Sequence, residues 1–197
     1  MYTGGERRST EKEGGDRVAE RDVFEIAKTG ERFVFTKRPA DTNGEVLEIE
    51  FLVRQFAPPT HVHLSVEERV EVLEGRARVR VGGKEWVAGP GETVVLPRGA
   101  AHTFRAEGDE MLRFRCEVRP ARQMETLFET IFGRYRDGKA DRHGQPNLLQ
   151  SVVLAHEHDG YLGGPPIWLQ KPLIAALAFV ARLLGYRARY SKYSGPQ

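Results

Sequence analysis

His61 and His63, separated only by Val62, are the residues whose type and spacing could do chemistry in this chain. On a β-strand, residues two apart point to the same face, roughly 6–7 Å apart along it. Two imidazoles so placed can converge on one metal ion at about 2.1 Å each. Glu68 follows after a stretch able to turn it back beside them, and His102 offers another imidazole just after Pro97-Arg98-Gly99. Each piece also has an ordinary reading. A histidine on a strand is usually a surface residue or a satisfied core donor, EERVEVLEG reads equally as a solvated edge, and PRG is a common turn. Local spacing alone leaves both readings open.

Composition narrows the chemistry. The chain has one cysteine, Cys116, so it can form neither an internal disulfide nor a thiolate cluster, and Cys116 itself reads as a small core residue. A metal would have to be held by imidazole and carboxylate, which suit Zn, Fe, Mn, Ni or Cu. A net charge of +2 over 197 residues, with the arginines scattered, argues against a nucleic-acid partner. Apolar and charged fractions of 40% and 29% are those of a soluble globular protein. The opening MYTGGERRSTEKEGGDR has no apolar core and is neither a secretory signal nor an anchor, so the cytoplasm is the expected location.

The elements that must position these residues follow from periodicity. Residues 1–20 lack it and are expected to form a disordered or loosely attached arm. Residues 21–120 form a series of short alternating runs. In 46–53, Leu47, Ile49, Phe51 and Val53 share one face, and in 76–81 Ala77, Val79 and Val81 alternate with arginines before a Gly82-Gly83 hairpin turn. Many short strands at close spacing predict a β-sandwich or small barrel.

Residues 121–197 change period. Met124, Leu127, Phe128, Ile131, Phe132 and Tyr135 form one helical stripe ended by Gly138. A second helix is predicted over 147–158, DGYLGGPP as a loop, and a third helix over 172–186 with Pro172 in its first turn. The third helix is apolar nearly all round, which predicts burial or packing on another subunit. Its longest uncharged run, 172–181, cannot span a bilayer, and membrane contact is not expected. His156 and His158 repeat the H-x-H spacing, but on a helix residues two apart diverge, so cations near a helix C-terminus are the better reading. His143 is expected to be exposed.

Taken together, the spacings resemble the cupin family, whose two motifs are G-x5-H-x-H-x3–4-E-x6-G and G-x5-P-x-G-x2-H-x3-N. Here His61-Val62-His63, four residues, Glu68, six residues and Gly75 match the first motif. Gly91, five residues, Pro97-Arg98-Gly99, two residues and His102 match the second, and fifteen residues separate Gly75 from Gly91. Gln55 stands where the first motif opens with glycine and Ala106 where the second closes with asparagine; neither is a ligand position. The resemblance covers about residues 45–118.

The resemblance implies a mainly β fold, a double-stranded β-helix (jelly-roll) barrel followed by about three C-terminal helices. It also implies one divalent metal held by His61, His63, Glu68 and His102, and a homodimer. Three imidazoles and a carboxylate leave two positions of an octahedral ion open, as in a reactive rather than a structural site. Strand alternation would place Phe51, Val70, Val72, Phe104 and Phe114 around a mainly apolar pocket for a small organic ligand. Such a site could belong to an oxygenase, isomerase or decarboxylase, or to a non-catalytic sensing module whose helical tail contacts a partner.

Overall fold

The computed structural model describes residues 22–121 and 123–194, so the expected N-terminal arm lies outside the described residues. The alternating runs become ten strands: β1 (Val23–Ile26), β2 (Glu31–Lys37), β3 (Leu47–Val53), β4 (His61–His63), β5 (Glu67–Glu74), β6 (Ala77–Val81), β7 (Lys84–Ala88), β8 (Thr93–Leu96), β9 (His102–Ala106) and β10 (Leu112–Arg119). The helical tail comprises α1 (Met124–Arg136), α2 (Leu148–His158) and α3 (Ile167–Leu183), with a short strand β11 (Gly160–Leu162) between the last two. The strands form two antiparallel sheets, in the orders β1-β2-β3-β10-β5-β8 and β11-β4-β9-β6-β7.

Alternation dictates which side chains enter the core. Leu47, Ile49, Phe51 and Val53 of β3 are fully buried, as are Phe114 and Cys116 on its partner β10. The intervening residues face outward and pair by charge, Arg113 with Glu50 and Glu74, and Arg115 with Glu71. These exposed pairs add about 0–1 kcal/mol each; burial carries the stability. The turn from β5 into β6 depends on Gly75. Its φ is +77°, and a Cβ there would lie 2.5 Å from the Met111 carbonyl oxygen.

The stripe on α1 seats itself on the barrel's aromatic residues. Phe132 stacks on Phe33 at 4.0 Å and meets Phe51 edge-on at 5.7 Å, while Phe128 meets Phe51 at 6.2 Å. Burying a side chain such as Phe132 contributes roughly 1.5–3 kcal/mol, so α1 is bound to the barrel and not appended to it.

Two expectations for the tail require correction. DGYLGGPP is not all loop, because Gly160–Leu162 pairs antiparallel with β4, placing Gly160 opposite His63 and Leu162 opposite His61. A three-residue strand has too few positions to show a period; only its pairing makes it one. The third helix starts at Ile167, and Pro172 lies inside it. The Pro166 carbonyl accepts the N–H groups of Leu169 and Gln170. The Gln170 amide then donates to the carbonyls of Leu162 and Pro165, which anchors this earlier turn. The interior proline forfeits one helix hydrogen bond.

α3 is only partly covered. Ala178 and Ala181 are buried against Val152 and Val153 of α2, but Trp168, Leu173, Phe179 and Leu183 are exposed. Among the described residues, no helix is long and apolar enough to cross a membrane.

Candidate metal centre

The two sheets bring the predicted ligand residues to one point. β4 carries His61 and His63, and His102 opens β9 in register with His61. Glu68 is the second residue of β5, on the opposite sheet. One ring nitrogen from each histidine lies within 4.8 Å of the others. Glu68 Oε1 is 3.7 Å from His63 Nε2, and Oε2 is 3.7 Å from His102 Nε2.

Backbone carbonyls orient the rings. His61 Nδ1 lies 2.8 Å from the Pro59 oxygen and His102 Nδ1 lies 2.9 Å from the Ala100 oxygen. A carbonyl can only accept, so both Nδ1 atoms carry the proton and both Nε2 lone pairs are free to bind an ion. His63 directs Nε2 at Glu68, leaving its buried Nδ1 on the side of Gly160. Among the described residues neither His63 Nδ1 nor His102 Nε2 has a hydrogen-bond partner.

Burial disfavours charge throughout the cluster. Burial pushes Glu68 up to about 7. Burial, then the neighbouring His102, pushes His61 down to about 4, and burial first holds His63 and His102 below their ordinary range. The result is a set of neutral imidazoles facing a buried carboxyl group, whose ionised form is costly unless a positive charge lies beside it. Two donors at about 2.1 Å from one ion lie at most about 4.2 Å apart, so small ring movements bring the three nitrogens within range. The donor set fits a divalent transition metal.

His61, His63 and Glu68 lie on the wall of a cavity of about 790 Å3, with His102 fully buried beside them. Of the expected pocket residues, Phe51 and Phe104 line it. Val70, Val72 and Phe114 are fully buried core residues that do not reach its surface. Phe114 stacks behind Phe51 at 4.4 Å and meets Phe104 edge-on at 4.9 Å, so those two rings screen it from the space. Cys116 is buried, its thiol pushed up by burial, and also reaches the wall.

Beside Phe56, Ala57, Pro58 and Pro59, the helical tail supplies most of the remaining wall. Phe128 and Ile131 come from α1, Leu154 and His158 from α2, Tyr161 from β11, and Leu169, Leu173 and Leu177 from α3. The expectation of a cation near a helix C-terminus at His158 is therefore corrected. This side chain is 7% exposed, and burial pushes it down to about 4, so it is neutral at ordinary pH. His156 is exposed. His143 is half-buried rather than exposed, hydrogen-bonding the Gln55 carbonyl through Nδ1 at 2.9 Å.

Residues 47–118 match the family model for the cupin domain, and this part of the chain is a cupin domain. β1, β2 and the helical tail lie outside the match. Among solved structures, a predicted oxalate decarboxylase from Thermotoga maritima is 15% identical with a TM-score of 0.46, covering 52% of this chain and 96% of that one. An RmlC-like cupin from Shewanella frigidimarina is 17% identical with a TM-score of 0.46, covering 58% and 96%. The cupin domain of Schizosaccharomyces pombe Cnp3 is 13% identical with a TM-score of 0.40, covering 45% of this chain and 64% of that one. No curated protein matches.

Proposed function

We propose that the cupin domain binds one divalent transition metal through His61, His63, Glu68 and His102 and presents it to a small organic molecule in the adjoining cavity. The observation that carries this reading is the buried Glu68 carboxylate, 3.7 Å from His63 Nε2 and from His102 Nε2. When bound, Fe, Mn, Ni, Zn or Cu would supply Lewis-acid or redox chemistry of the kind used in oxygenation, isomerisation or decarboxylation. The chain's own part is to orient His61 and His102 through the Pro59 and Ala100 carbonyls and to exclude water with Phe51 and Phe104. The apolar walls favour a hydrophobic or aromatic substrate over a sugar.

Oxygen uptake and product formation are the direct test, using protein loaded separately with each metal and a panel of phenols, diketones and long-chain acids. The expected result is substrate-dependent turnover with one metal, lost on chelation. Ligand binding without turnover under any metal would favour a second reading, a non-catalytic binding module. Its support is that α2 and α3 wall the cavity while α3 also exposes an apolar face, so the tail could report occupancy to a partner.

That face is also the proposed contact for a second copy of the chain. Trp168, Phe179 and Leu183 are all well exposed on this one helix, and an exposed apolar face of this kind suits a protein contact. The Phe179→Glu/Leu183→Glu variant is expected to sediment as a monomer at concentrations where the unaltered protein is a dimer. Equal sedimentation of the two would remove α3 from the interface.

A further inference from the structure

His158 is the last residue of α2, and the chain turns sharply after it through Asp159 at φ +52°. That turn sends β11 along β4 and leaves the His158 ring on the cavity wall, in the same space as His63. The residue is 7% exposed, yet neither Nδ1 nor Nε2 has a hydrogen-bond partner among the described residues. Whichever tautomer it adopts, one nitrogen donates and the other accepts. A buried side chain with both capacities unused, turned toward a cavity, is arranged to meet a ligand and not to hold the fold together.

The cavity walls contributed by α1 and α3 have a different character. Phe128, Ile131, Leu173, Ile174 and Leu177 offer no hydrogen-bonding group. Leu148, Leu169 and Leu173 line the cavity and are also more than half exposed. They form an apolar rim through which an apolar chain could enter. Leu162 pairs with His61 across the sheet, so the apolar walls of α1 and α3 and the leucines of α3 meet the polar corner of His158, His61 and His63 in one space.

We propose that His158 anchors the head of a long-chain carboxylic acid whose chain lies along α1 and α3 toward the leucine rim. This deepens the metal-centre reading and rests on it. A divalent ion with an ionised Glu68 leaves one uncompensated positive charge, which a ligand carboxylate neutralises. A carboxylate also has two oxygens, one to accept from the His158 N–H and one to face the histidine cluster. An alcohol of equal chain length has neither the charge nor the second oxygen.

The test is titration of dodecanoate, dodecan-1-ol and butanoate by calorimetry into metal-loaded protein, with metal content measured on the same samples. Dodecanoate is expected to bind the unaltered protein at least about tenfold more tightly than the other two. His158→Phe is expected to lose roughly tenfold in dodecanoate affinity while keeping its metal, and His158→Gln, which retains a donor and an acceptor, to recover part of it. Leu173→Glu is expected to weaken dodecanoate and leave butanoate unchanged. Dodecanoate affinity unchanged in His158→Phe, with metal retained, overturns the anchor alone. Loss of metal in His158→Phe overturns it by making His158 an ion ligand. Absence of metal from the unaltered protein overturns the metal-centre reading separately.

Discussion

The Glu68→Gln/His102→Ala variant is expected to purify without metal under conditions where the unaltered protein retains close to one equivalent. The double change removes the carboxylate and one of three imidazoles, and affinity should fall by well over about 100-fold, beyond what altering a mere supporting contact costs. Elemental analysis of protein expressed without added metal reads this directly, and equal metal content in the two proteins would falsify the ligand assignment. The loss should not be a folding defect. In metal-free protein, burial raises Glu68 from its ordinary 4.5 to about 7. A group raised on folding contributes stability that is complete below its unfolded value and is lost as pH rises through its folded value. Metal-free protein should therefore lose stability between about pH 4.5 and pH 7, by up to about 3 kcal/mol. The single variant Glu68→Gln carries no such charge. At pH 8 it should be at least as stable as metal-stripped unaltered protein, while binding metal far more weakly. Divergence of stability from metal affinity is the signature of a ligand rather than a structural residue.

The convergence of His61, His63, Glu68 and His102 was legible because these residues are compressed into local spacing. His61, His63 and Glu68 lie within eight residues, and His102 follows a turn whose glycine and proline mark its place. Strand alternation also separated inward from outward side chains along β3, β9 and β10. It could not rank depth, which is why Val70, Val72 and Phe114 were expected on the pocket wall. All three point inward, but Phe51 and Phe104 stand between Phe114 and the cavity. Depth depends on what the opposite element places in front of a residue, and period-two patterning carries no such information. The outer half of the cavity was hidden for a related reason. β11 exists only through pairing with β4, and His158 reads as a helix-end charge until the following turn folds α2 against the barrel. In each case the deciding interaction is tertiary, and the local pattern points elsewhere.

Glu31 is another residue whose role the sequence conceals, and replacing it should produce the largest loss of stability of any single charge in the described fold. In TGERF it looks like an ordinary strand-entry acid, yet it is 1% exposed. Its Oε1 accepts the backbone N–H groups of Arg54, Gln55 and Phe56 at 2.9, 2.6 and 2.7 Å. Its Oε2 accepts the hydroxyls of Thr29 and Tyr135 at 2.9 and 2.6 Å. One carboxylate thus ties the start of β2 to the segment leaving β3 and to α1. Glu31→Ala leaves a cluster of donors without their acceptor, at about 1–3 kcal/mol for each that stays buried, so a total near 4 kcal/mol is expected from denaturant unfolding at pH 7. Glu31→Gln keeps the Oε1 acceptor and should cost roughly half as much. The pH dependence has a definite sign. Burial alone would raise Glu31, but hydrogen bonds from Tyr135, Arg54, Phe56 and Gln55 outweigh it and hold the group below its ordinary 4.5. A depressed carboxylate contributes stability that is present above its unfolded value and lost as pH falls through its folded value. The stability difference between the unaltered protein and Glu31→Gln should therefore shrink below about pH 4.5. A difference constant from pH 7 to pH 3 would mean that Glu31 acts through packing alone. Phe56, whose N–H the carboxylate holds, lines the cavity. Weaker ligand binding in Glu31→Gln with metal content unchanged would then trace the barrel's hold on its helical tail to the shape of the site.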